Sequence, residues 1–142
     1  MKKFLNLTIC ISTTLLASCA SYQSPTEGDL ATLVLTNLST AKTQVDYCYD
    51  KSCDKMTRIT TLKNQEPHQI KVHANQTTHI RFFTKLYVTT FNLAPDSEVV
   101  NKKYECWKTV SIEPVIDKVY KLDHLFKSDT GQCNVQVKQL NI

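Results

Sequence analysis

The chain has 142 residues, with 17 Lys+Arg against 13 Asp+Glu for a formal charge of +4, and it contains six Cys and only 2 Gly. That length holds one domain and not comfortably two. A mild basic excess without a clustered basic face argues against nucleic acid, and so few glycines leave no phosphate-cradling loop.

Met1-Lys2-Lys3 opens the chain with positive charge, and Phe4 to Leu16 is apolar with Asn6, Thr8, Ser12, Thr13 and Thr14 interspersed. Leu16-Ala17-Ser18 then puts small residues before Cys19. A charged start, a short apolar run and a small-residue cleavage site are the parts of a secretory signal. The run is too short for a spanning helix, which takes about 20 apolar residues. The order Leu16-Ala17-Ser18-Cys19 resembles the lipobox of bacterial lipoproteins. The resemblance implies that Cys19 Sγ takes a diacylglyceryl group, that signal peptidase II cuts before Cys19, and that the new amino group is acylated. Several acyl chains (palmitate among them) anchor stably where one is marginal. The alternative is an ordinary secretory signal cut after Ala20.

The chain thereby divides into a signal peptide at 1–18, a lipidated cysteine with a flexible tether at 19–29, and a body at 30–142. Loss of Lys2 and Lys3 with the signal halves the positive excess. Ala20 and Ser21 follow the anchor, with no Asp at the second mature position. By resemblance to lipoprotein sorting in Gram-negative bacteria, this implies the outer membrane in such a host. Ala20 to Asp29 (ASYQSPTEGD) has little to bury, and ten flexible residues would span on the order of 20 Å.

The body alternates with period two almost throughout. Ala31–Asn37, Thr43–Tyr49, Met56–Leu62, Gln69–His73, Thr77–Phe83, Tyr104–Ile112, Val119–Phe126 and Gln132–Val137 read as strands. Leu86–Phe91 reads as a further strand or as the previous one continued past a bend. Ala74-Asn75-Gln76, Pro95-Asp96-Ser97, Pro114 and Asp129-Thr130-Gly131 supply turns. Regular short runs broken by turn residues predict an all-β fold: a single antiparallel β-sandwich of about seven or eight short strands.

Cys10 leaves with the signal and Cys19 is consumed by lipid, so Cys48, Cys53, Cys106 and Cys133 remain. An even number in an exported chain predicts two disulfides, with three possible pairings. Cys48–Cys53 brackets a polar turn, Tyr49-Asp50-Lys51-Ser52, and Cys106–Cys133 joins two strand-like runs. Cys48 lies on the opposite parity from Val45 and Tyr47, which predicts the first bridge at the rim. Cys106 and Cys133 each share parity with apolar neighbours, which predicts a core-facing bridge. A four-cysteine metal site is the rival, but it lacks paired C-x2-C units. From Cys106 through Pro114 and Val119-Tyr120 to Cys133, the last third resembles the C-terminal half of many small envelope lipoproteins, and the resemblance implies no catalytic residue.

Chemistry-bearing patterns are sparse. His68, His73, His79 and His124 make no metal-binding motif and read as solvated strand residues, with His73 and His79 able to face each other across a hairpin. No nucleophile elbow occurs, and the carboxylates are scattered. Trp107 has the opposite parity from Cys106 and reads as a packing residue or an exposed contact. The expectation is a non-enzymatic envelope protein without metal or cofactor. It is held on the membrane by its lipid and serves as a binding or accessory module for a protein partner in an envelope assembly. Type VI secretion lipoproteins use a small tethered sandwich in that way, by analogy of fold alone. The alternative is an inhibitor or immunity protein against a secreted or cell-wall-degrading enzyme. Asp50-Lys51-Ser52 and Asp96–Lys103 are the candidate charged loops for that role.

Overall fold

The computed structural model describes residues 21–90 and 99–141. Leu16-Ala17-Ser18-Cys19 lies outside the described residues, as do residues 96–98 of the Asp96–Lys103 loop. Eight strands and no helix occur among the described residues: β1 (Leu30–Asn37), β2 (Thr43–Cys48), β3 (Met56–Leu62), β4 (His68–His73), β5 (Thr78–Thr90), β6 (Val100–Ile112), β7 (Val119–Lys127) and β8 (Gln132–Leu140). They form two four-stranded sheets, ordered β4-β1-β7-β8 and β3-β2-β5-β6. The chain is an all-β sandwich. One pair departs from the antiparallel expectation: β1 runs parallel to β7, Thr32 opposite Val119 through Asn37 opposite His124. Side-chain alternation fixes which face is buried and is silent about which strand lies alongside.

The alternation places the core between the sheets. Ala31, Leu33 and Leu35 of β1, Ile70 and Val72 of β4, and Tyr120 and Leu122 of β7 meet Val45, Leu62, Ile80 and Phe82 of the other sheet. β-branched and aromatic side chains suit this pleated, half-buried surface. Leu86–Thr90 continues β5, which pairs with β6 over its full length, from Thr78 opposite Ile112 to Thr90 opposite Val100. β2 accompanies β5 only as far as Thr84. From Lys85 onward the β5–β6 pair therefore stands beyond its own sheet as an arm, about 20 Å long at a strand's rise per residue. The β7–β8 turn supports its base. A Cβ on Gly131 (φ +70°) would come 2.8 Å from Tyr104 Cδ1, so only glycine admits this approach.

Each long edge of the sandwich is closed across the sheets. On one side the Cys106–Cys133 disulfide joins β6 to β8, inward-facing and half-buried. On the other, the segment read as a flexible tether packs down instead. Ser21 bridges Arg58 in parallel, and Tyr22 donates its N–H to Arg58 O (2.8 Å) and its hydroxyl to Lys71 O (2.7 Å). The Tyr22 ring stacks on Tyr47 at 4.8 Å, and Ser24 Oγ accepts the Lys71 N–H. Composition hides this because the segment is held by one aromatic ring and by backbone groups at the free edges of β3 and β4.

Candidate binding face

The outward side of the β3-β2-β5-β6 sheet carries an unusual row of residues. Pairing aligns Arg58, Asp46 and Arg81 across β3, β2 and β5, and the next row holds Gln44, Phe83 and Trp107. A β-bulge between Val45 and Asp46 shifts the β2–β3 register here, the kind of irregularity that re-aims side chains. Asp46 is buried on this otherwise exposed side, its side chain 3% accessible. Its carboxylate accepts from Arg58 Nε at 2.5 Å and from Arg81 Nη2 at 3.1 Å. Arg58 Nη2 also donates to Gln44 Oε1 at 3.0 Å, and Arg81 touches Met56 Sδ. Buried Arg81 Nε has no hydrogen-bond partner among the described residues. One carboxylate thus holds two guanidiniums in place.

Apolar side chains flank this ion triad. Trp107 is 65% exposed and Met56 46%, with Phe83 directly opposite Trp107 on the neighbouring strand. Gln44, Met56, Arg58, Arg81, Phe83 and Trp107 line one shallow concavity of about 440 Å³. Trp and Arg together, fixed by their neighbours, have the composition of a protein-interface hot spot. Parity already put Trp107 opposite Cys106. The triad was missed, although Gln44, Asp46 and Cys48 share one parity that opposes buried Val45.

The other expected site residues fall apart from this face or at its margin. Cys48 and Cys53 are bonded to each other, as are Cys106 and Cys133. The first bridge sits at the strand end outside the core cluster, as its parity required, yet both cysteines are buried under their own turn. There Asp50 Oδ1 accepts from Ser52 Oγ (2.6 Å) and the Cys53 N–H (2.7 Å), bonds that hold its carboxyl below the usual range.

The histidines are not all solvated. His73 and His79 belong to strands of different sheets, so they do not face each other across a hairpin. His79 Nδ1 instead bonds Ser111 Oγ at 2.7 Å. His124 is 0% exposed and stacks on Phe82 with ring centroids 5.3 Å apart. Its Nδ1 lies 3.4 Å from Thr43 Oγ1, which also bonds Thr84 Oγ1 at 2.7 Å. Burial pushes its pKa down to about 4, so it is a neutral core residue. Among the described residues no group of three or more His, Cys, Asp or Glu gathers to hold a metal ion, and no helix is long and apolar enough to cross a membrane.

Compared with models of protein families the chain matches none, and compared with curated proteins it likewise matches none.

Proposed function

We propose that this chain is a lipid-anchored envelope protein and that the outward face around Trp107 docks a protein partner within an envelope assembly, such as one serving secretion. The observation that carries the reading is exposed Trp107, paired with half-buried Phe83, beside two arginines that a buried carboxylate holds in place. Side chains already ordered by their neighbours lose little freedom on binding, which is where much affinity is otherwise lost. The anchor comes from Leu16-Ala17-Ser18-Cys19 and confines the domain to one membrane. The role is that of a binding module, since Gln44, Met56, Arg58, Arg81, Phe83 and Trp107, which line the concavity, include no nucleophile.

The test is a photo-crosslinking amino acid at position 107 of the full chain in its native host, with a second at position 138 on the opposite sheet. The expected result is one envelope protein captured from position 107 and not from 138, with capture weakened in a Cys19→Ala version. Capture of nothing from position 107 refutes the docking face.

The overhanging β5–β6 arm favours a second reading, an inhibitor that inserts a projection into an enzyme cleft. Lys85, Tyr87, Lys102 and Lys103 make the arm basic and aromatic, matched to an acidic cleft. If the soluble domain protects no cell-wall hydrolase, this reading fails.

A further inference from the structure

The docked segment at 21–24 removes the slack that a tether would have provided. Ser21 is fixed against Arg58, two rows in from the Met56 end of β3. Ser21 bridges β3 in parallel, so the described chain enters the fold from that same end. Cys19 stands two residues before Ser21, a span of at most about 7 Å. On the lipid-anchor reading the acyl chains are therefore held close to that end of the sandwich.

The same end presents apolar side chains in a rigid setting. Val115 and Ile116, adjacent on the β6–β7 loop, are 47% and 40% exposed. Their loop is pinned on all sides. Pro114 is fully buried and its carbonyl accepts the Asn75 N–H at 2.8 Å. Val115 N–H donates to Tyr120 Oη at 3.1 Å, Lys118 N–H to Val115 O at 3.2 Å, and Asp117 N–H to Leu30 O at 2.9 Å. Exposed Tyr49 lies beyond the end of β2 on the same side. Two aliphatic side chains held outward by a fixed loop suit the boundary between headgroups and acyl chains, and Tyr49, its hydroxyl bonded to Thr57 Oγ1 at 3.0 Å, adds an aromatic ring at the β2 side of the same end. Charges at this end are mixed: Lys51, Lys55 and Lys118 against Asp50, Asp54, Glu113 and Asp117. The contact is therefore apolar in character and insensitive to anionic lipid.

We infer that the end of the sandwich bearing Val115, Ile116 and Tyr49 rests on the phospholipid surface that holds the Cys19 acyl chains, which stands the domain upright and aims the β5–β6 arm away from the membrane. The inference rests on the lipid-anchor reading. The arm leaves from the opposite end because Thr78 and Thr90 are the two ends of one strand, and Ile112, which leads into the Val115 loop, pairs with Thr78.

The test uses the mature lipoprotein from native membranes, reconstituted into phosphatidylethanolamine–phosphatidylglycerol vesicles. An environment-sensitive dye is placed through a single added cysteine, Ile116→Cys in one sample and Tyr87→Cys on the arm in another. Flotation with the vesicles is measured first. The expected result is that both proteins float, that the dye at 116 shifts to the blue and loses most of its quenching by aqueous iodide while gaining quenching from bilayer nitroxide lipids, and that the dye at 87 stays as in water. Floating protein whose 116 dye remains as exposed as the 87 dye overturns the inference and leaves the anchor intact. Protein that does not float overturns the anchor reading and this inference with it. Protection at 116 that persists in Cys19→Ala protein without vesicles means a second copy covers the loop, and that also overturns it.

Discussion

Acid destabilises this domain through His124, in a way that one substitution can isolate. The imidazole is fully buried against Phe82, and burial pushes its pKa down to about 4 from 6.5. The unfolded chain takes up a proton near the ordinary value and the folded chain does not. The stability due to the neutral ring is therefore complete above the unfolded pKa and is lost as pH falls toward the folded one, below which both states are protonated and the loss levels off. At about 1.4 kcal/mol per pKa unit the whole interval amounts to about 3 kcal/mol, a large share of a typical domain's ~5–15 kcal/mol. The assay is urea unfolding of wild type and His124→Phe, followed by Trp107 fluorescence, in steps from about pH 7.5 to about pH 4.5. Phenylalanine retains the stacking on Phe82 and cannot titrate, at a cost of about 1 kcal/mol at neutral pH for its added volume. All other titrating groups are common to both proteins, so their difference reports His124 alone. The variant is expected to be the less stable at neutral pH and the more stable near the acid limit. A difference that stays constant across the range would refute the buried neutral imidazole.

Other outcomes follow from the two closed edges and the ion triad. Replacing Cys106 and Cys133 together by alanine reopens a 27-residue separation and should cost roughly 3.5 kcal/mol. Loss of Cys48–Cys53, separated by 5, should cost roughly 2, both by loop-closure entropy and both readable as urea midpoints. Tyr22→Ala removes a stacked ring and a hydrogen bond, and should lower stability by about 1–2 kcal/mol. It should also make the 21–29 segment cleavable by protease while the sandwich stays intact. Asp46→Asn leaves two guanidiniums facing a neutral amide. It should cost about 2 kcal/mol, less than a fully buried pair because both arginines reach solvent, and should halve or worse the crosslinking yield at position 107.

Much of the fold was legible because period-two alternation is a direct consequence of a sheet with one buried face. The strands through Leu33, Val45, Ile70, Ile80, Val110, Leu122 and Val135 could be found from it, but parity did not foretell that Cys106–Cys133 would be a half-buried bridge at the sandwich edge and Cys48–Cys53 the more buried of the two. Alternation says nothing about strand partners, which is why the parallel β1–β7 pairing was invisible. His124 was legible in principle, since it shares parity with Leu122 and Phe126. Its polarity masked the signal because a histidine is more often hydrated than stacked in a core. The Asp46 triad needed three strands to align Arg58 and Arg81 on one carboxylate, and no local pattern contains that. The docking of Tyr22 depends on free strand edges that exist only once the sandwich has formed.

The proposed anchor at Cys19 would fix both the membrane to which the Trp107 face is confined and the end of the sandwich that meets it. Intact-mass measurement of the chain extracted from its native membranes tests this most directly. The predicted result is a species beginning at Cys19, with residues 1–18 removed and a diacylglyceryl group on its sulfur. A chain that begins at another residue, or one that begins at Cys19 with an unmodified thiol, would contradict it.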